Sequence, residues 1–85
     1  MKINNEFIGR NVEIVSSNNK QIHGLKGKIV DETKNTFVIE KKDGDVVKIP
    51  KANTTFRFWK GNEKIDIEGS KIMYHPEERT KKIFE

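Results

Sequence analysis

From residue 10 onward, apolar side chains recur at every second position, the period of a strand whose successive residues face opposite sides. Val12 and Ile14 flank Glu13, Leu25, Gly27 and Ile29 alternate with Lys26 and Lys28, and Phe37 and Ile39 alternate with Thr36, Val38 and Glu40. Further along, Val47 and Ile49 flank Lys48, Phe56 and Phe58 flank Arg57, and Ile65 and Ile67 flank Asp66. The pattern predicts six short antiparallel strands, with room for a seventh from Lys71 to Tyr74. Between them, Asp43-Gly44 is placed to supply the two positive-φ residues of a type I′ hairpin turn, and Gly61-Asn62 a similar turn. Ser16 to Asn19 predicts a longer polar loop, and Pro50 ends the fourth strand because it has no N–H for a ladder.

Strands this short with such brief links cannot build a large sandwich, but strong bending lets them curl into a small barrel. Gly27, in mid-strand, is the predicted bending device. The ending "HPEERTKKIFE" changes character: Pro76 suits a first helical position, Glu77 and Glu78 the positive end of a helix dipole, and Lys81 and Lys82 the negative end. The expectation is one mainly β domain over residues 1–85, with an N-terminal arm or short helix at 1–9, a strongly bent antiparallel barrel of six or seven strands at 10–74, and a short helix at 76–85. Phe7 and Ile8 are the arm's apolar anchors.

Composition narrows the function. A chain of 85 residues buries only ~60% of the surface its unfolded form exposes, so a large active-site cavity is not expected. There are no cysteines, which removes disulfides and thiolate metal sites and fits a reducing, cytoplasmic setting. No stretch has the continuous apolar character of a signal peptide or a membrane span, so a soluble chain is expected. The net charge of +4 is concentrated: residues 41–60 hold Lys41, Lys42, Lys48, Lys51, Arg57 and Lys60 against only Asp43 and Asp45. A clustered positive surplus fits phosphate contact and, equally, a solvated face that resists edge-to-edge aggregation.

Catalytic chemistry is sparse. Asp31 and Glu32 are adjacent carboxylates, but neighbours in a strand point apart and do not converge on one metal ion. His23 and His75 are isolated, and Ser70 has no evident base. Binding chemistry is richer. RNA is held by cations on phosphates, by amides and hydroxyls on polar edges, and by flat side chains stacking on bases. Lys34, Asn35 and Thr36 supply a cation, an amide and a hydroxyl in one turn, where Asn35 also suits a left-handed backbone. Arg57 and Trp59 share a face opposite Phe56 and Phe58, placed either for stacking on a nucleotide or for covering the barrel's end.

The stretch "GLKGKIVDETKNTFVIE" resembles the first motif of Sm-like proteins, a bent glycine-containing strand leading to Asp-x-x-x-Asn, and "IEGSKI" resembles the second. In Sm rings the Asn of the first motif and an Arg of the second hold a base; the matching positions here are Asn35 and Glu68, and a carboxylate cannot make that contact. Over nearly the whole chain, "IGRNVEIVSSNN", "KIPK" and "EGSKIMYHPEER" together with the first stretch resemble the Sm-like barrel subunit of archaeal ribonuclease P, a relative of a eukaryotic ribonuclease P and MRP subunit. The resemblance implies an Sm-like/SH3-like barrel that is a non-catalytic, RNA-binding part of the ribonucleoprotein removing 5′ leaders from precursor tRNA. It implies that the RNA is the catalyst and holds the Mg²⁺, with no cofactor or metal on this chain, and that a zinc-ribbon protein subunit is the partner.

Carried onto this sequence, the resemblance implies polar contacts from Lys34, Asn35, Thr36, Lys51, Ser70, Lys71 and Arg79. With the basic segment and the C-terminal cations, Arg57, Lys60 and Lys82 join the expected RNA-facing set. The N-terminal arm and second strand, through Phe7, Ile8, Lys26 and Lys28, are expected to face the protein partner. The alternatives are an Sm-like ring holding uridine-rich single strands, a stand-alone metal nuclease using Asp31, Glu32 or Asp66, and an SH3-like module that reads peptides.

Overall fold

The computed structural model describes residues 7–73. Its strands are β1 (Asn11–Ser17), β2 (Lys26–Glu32), β3 (Thr36–Lys41), β4 (Val46–Pro50), β5 (Thr54–Lys60) and β6 (Glu63–Glu68). They form one antiparallel sheet in the order β4-β3-β2-β1-β5-β6, so the chain makes a four-strand meander and then crosses to add β5 beside β1. All six strands fall on the apolar alternations of the sequence. Among the described residues the ladder ends at β4 and β6, and no helix is long and apolar enough to cross a membrane.

Three devices curl the sheet. One residue is inserted between Ile14 and Ser16 where β1 meets β5, and another between Ile29 and Asp31 where β2 meets β3. Each insertion bends its strand and increases the local twist. The third is Gly27, which lies between Val12 of β1 and Lys41 of β3. A Cβ there would sit 2.4 Å from the Glu40 carbonyl oxygen and 2.5 Å from the Ile39 side chain, so only glycine lets the two strands close up.

The concave face holds Val12, Ile14, Ile29, Phe37, Ile39, Ile49, Phe56, Phe58 and Ile72, with Phe7 among them. Phe37 and Phe56 meet edge to face with ring centroids 5.0 Å apart, and Phe7 lies 5.3 Å from Phe37 and 5.0 Å from Phe58, separations at which aromatic pairs attract. Phe7 is therefore a core residue, contrary to the expectation that it faces a protein partner. Gly9 N–H donates to Ile29 O and Ile29 N–H to Arg10 O, which ties the incoming chain to β2 and leaves the Phe7 ring inside. Ile8, the other anchor, is exposed.

Several local expectations need correction. Gly44 takes a positive φ but Asp43 does not; Gly44 N–H returns to Lys41 O and Lys41 N–H reaches Asp45 O, so this turn needs one left-handed residue rather than two. Asn35 is not left-handed either. The Thr33 hydroxyl accepts from Thr36 N–H and lies 2.6 Å from the Thr36 hydroxyl, which closes the turn by side-chain bonding. In place of a strand beginning at Lys71, Gly69–Ile72 form a 3₁₀ turn. A Cβ on Gly69 would lie 1.8 Å from the Lys51 carbonyl oxygen, so this turn is pressed against the backbone following β4. The expected helix at 76–85 and residues 1–6 of the arm lie outside the described residues.

Candidate nucleic-acid interface

The convex face of the sheet carries two neighbouring rows of polar side chains, and the register shows how they differ. In one row Lys26 faces Glu13, Glu13 faces Arg57, and Arg57 faces Asp66. Opposite charges across strands attract, and this row is compensated along its length. Arg57 Nε donates to Asp66 Oδ1 at 2.8 Å and its Nη2 to Oδ2 at 3.1 Å, a two-pronged pair. The bond from Arg57 holds the Asp66 carboxyl below the usual carboxylate range, aided by the Arg57 and Lys64 charges. The same bond raises the guanidinium above its ordinary value, with Asp66 and Glu13 adding to the effect.

In the next row Glu40 faces Lys28, Lys28 faces Asn11, and on the far strands Trp59 faces Lys64. Here a groove of about 590 Å³ opens, lined by Asn11, Val12, Lys26, Gly27, Lys28, Glu40, Lys41, Lys42 and Trp59. The close approach allowed by Gly27 brings the β2 lysines beside Lys41 and Lys42. Four lysines and a half-buried indole thus line one groove with Glu40 as the one carboxylate in the lining, while Glu13 faces Lys26 across the strands and Asp45 Oδ2 lies 4.0 Å from Lys41 Nζ. Long lysine stems cover apolar surface while their ammonium groups stay in water, so the groove presents an apolar floor with a cationic rim.

The opposite end of β2 is built the other way. Lys51, following β4, is fully buried; its Nζ donates to Glu32 Oε2 at 2.7 Å and to Ile72 O at 2.9 Å, and lies 4.8 Å from the centre of the Phe37 ring. Lys51 N–H also donates to Asn35 O, so one residue ties the β2–β3 turn, β2 and the final 3₁₀ turn together. The expectation that Lys51 contacts RNA is overturned, because its ammonium is sealed among protein atoms.

The remaining expected residues separate. Lys34 and Asn35 are exposed at the tip of the β2–β3 turn and Thr36 is half-buried beneath it. Ser70 is exposed in a smaller polar hollow of about 280 Å³ with Ser16, Asn18, Asn53, Thr54, Thr55, Glu68 and Gly69, which shares no residue with the lysine groove. Lys71 lies 3.9 Å from Glu68 at the surface, and Lys60 is exposed at the end of β5. Arg57 is half-buried with its fork engaged by Asp66, which makes it a cross-strand tie rather than a free phosphate ligand. Lys26 and Lys28, expected at a protein interface, share their groove with Lys41, Lys42 and Trp59. Arg79 and Lys82 lie outside the described residues.

The carboxylates diverge as strand geometry required. Asp31 is exposed and accepts the Glu32 N–H, while the Glu32 side chain turns inward to Lys51, so the two do not converge on one ion. His23 Nε2 lies 2.8 Å from Ser17 O and 3.0 Å from Ser17 N, and so pins the loop after β1. Sequence reasoning missed Asn11 in the groove and Glu32 as the partner of Lys51.

Residues 2–82 match the family described as ribonuclease P/MRP, subunit p29. The ribonuclease P protein component 1 of Methanocaldococcus jannaschii is 49% identical over 80 residues, spanning 94% of this chain and 84% of that protein. That of Methanococcus aeolicus is 46% identical over 81 residues, with 94% and 84% covered. Among solved structures, Mth11, described as a homologue of the human RNase P protein Rpp29, superposes with a TM-score of 0.62 at 39% identity, covering 86% of this chain and 95% of that one. On these matches and the shared fold, the chain belongs to the p29 family of ribonuclease P/MRP protein subunits.

Proposed function

We propose that this chain is a non-catalytic RNA-binding subunit of ribonuclease P, the ribonucleoprotein that cuts the 5′ leader from precursor tRNA. The family match over residues 2–82 carries the reading. The lysine groove supports it, since cations around an aromatic ring are the chemistry that meets phosphates and bases. The chain's work is to bind and steady the RNA and to assist substrate recognition, while the RNA performs hydrolysis with its own Mg²⁺. No residue here is assigned to that metal. The other protein subunits, a zinc-ribbon protein among them, complete the assembly, in a cytoplasmic setting.

Reconstitution tests the reading. Omitting this chain from a mixture of the RNA and the remaining proteins lowers precursor-tRNA cleavage at limiting Mg²⁺, and adding it back restores the rate. The chain with Mg²⁺ and no RNA component cleaves nothing. Cleavage by the chain alone, or an unchanged rate on omission, contradicts the proposal. The unpaired edges of β4 and β6 among the described residues also fit the ring alternative. A solution mass of six or seven chains supports a ring; one chain, or one chain with one partner, supports the ribonuclease P reading.

A further inference from the structure

We infer that the groove between Lys26 and Trp59 holds an unpaired stretch of the ribonuclease P RNA, with one base stacked on the indole and the neighbouring phosphates on Lys26, Lys28, Lys41 and Lys42. The inference rests on the RNA-binding reading above and adds where the RNA lies and in what form. Its first support is charge. Four lysines and one carboxylate, Glu40, line the groove beside the indole. Glu13 faces Lys26 and Glu40 faces Lys28 across the strands, and Asp45 Oδ2 lies 4.0 Å from Lys41 Nζ, so the lining itself keeps a cationic surplus.

The second support is shape. About 590 Å³ lies within the range of small-ligand sites, and Val12, Gly27 and Trp59 are among the lining residues. That suits one nucleotide and its flanking phosphates. Bases of an A-form duplex stack on each other and leave no face for an indole, so the occupant is unpaired RNA. The third support is composition. Protein interfaces are depleted of lysine at their centres, while a groove that tracks a nucleic-acid backbone is cationic with aromatic platforms. Lys26 and Lys28 therefore belong with the RNA and not with the protein partner.

Trp59 is the chain's single tryptophan, so its fluorescence reports on this groove alone. A mixed-sequence single-stranded RNA oligonucleotide, titrated into the full chain at low salt, quenches Trp59 emission to saturation; the same sequence as a duplex does so far less. Trp59→Ala weakens single-strand binding roughly tenfold or more, and Trp59→Phe, which keeps a flat ring, retains most of it. Each of Lys28→Ala and Lys41→Ala lowers the slope of log affinity against log salt by about 0.7. In the reconstituted enzyme, a photoreactive amino acid in place of Lys28 cross-links to the ribonuclease P RNA.

Unchanged emission, with Trp59→Ala still shifting the ribonuclease P RNA normally in a gel, overturns the groove assignment and leaves the RNA-binding reading standing. Cross-linking to a protein subunit or to precursor tRNA overturns the named occupant. Equal quenching by duplex overturns the claim that the RNA is unpaired. If the full RNA fails to bind the wild-type chain at low salt, the RNA-binding reading itself falls, and the inference with it.

Discussion

The two ends of β2 use lysine in opposite ways. At the Glu32 end, Lys51 is sealed beneath the final 3₁₀ turn, its ammonium held by a carboxylate and a backbone carbonyl. At the Lys26 end, Lys26, Lys28, Lys41 and Lys42 line one groove with Trp59, each of them exposed or half-exposed. One residue type is a fastener at one end and a solvent-accessible cation at the other. The surroundings decide which, since a buried ammonium must have its charge matched within the protein, while an exposed one remains available to phosphate.

The comparison breaks most visibly at the fastened end. Lys51→Ala takes the ammonium away from the buried Glu32 carboxylate and the Ile72 carbonyl and is expected to cost about 3–5 kcal/mol of stability, read as a lowered urea midpoint. Replacing the pair together, Glu32→Leu with Lys51→Met, recovers part of that loss because both members of the buried ion pair are replaced by apolar side chains. A double variant as unstable as the single one contradicts the fastener role. Gly69→Ala comes next. Its methyl would meet the Lys51 carbonyl, and lifting the 3₁₀ turn is expected to cost about 1–3 kcal/mol or more in the same assay.

At the open end the order of effects reverses. Lys28→Gln leaves the unfolding free energy within about 0.5 kcal/mol of wild type but weakens RNA binding in a filter assay at low salt. Loss of stability without loss of binding contradicts the division between the two ends. Arg57→Ala in the compensated row leaves the salt slope of RNA binding unchanged, because Asp66 already neutralises that guanidinium.

The smallest effect is an acid one. Because Arg57 holds the folded Asp66 carboxyl below its usual range, the contribution of the pair is fully present above the ordinary carboxylate value and disappears as pH falls through the lowered folded value. Both groups face solvent, so the effect is small. Asp66→Asn removes this part of the acid slope, measured by urea unfolding at a series of pH values through the carboxylate range. Identical slopes in the two proteins would show that the pair contributes nothing.

Much of this was legible in the sequence. Period-two alternation located all six strands, and the sign of the central segment pointed to Lys41 and Lys42. What alternation could not reveal was a change of phase. Counting by twos from Gly27 and Ile29 places Asp31 inside and Glu32 outside, but the residue inserted between Ile29 and Asp31 reverses this and buries Glu32. Once Glu32 is inside, its carboxylate needs polar partners, and Lys51 Nζ meets it at 2.7 Å. The groove was hidden for another reason. Asn11, Lys28, Lys41 and Trp59 come from four strands, and only the placement of β5 beside β1 draws them together. Phe7 misled because two apolar residues, Phe7 and Ile8, ahead of the first alternation read as the anchors of an arm, and the bonds between Gly9, Arg10 and Ile29 of β2 leave no mark in local spacing.

Lysine-by-lysine acetylation, read by mass spectrometry on the free chain and on the reconstituted ribonucleoprotein, tests the central division most directly. The account predicts that Lys26, Lys28, Lys41 and Lys42 react in the free chain and are protected once the RNA is present, while Lys51 stays unreactive in both. Reactive Lys51 in the free chain, or groove lysines that remain equally reactive in the assembled particle, would contradict it.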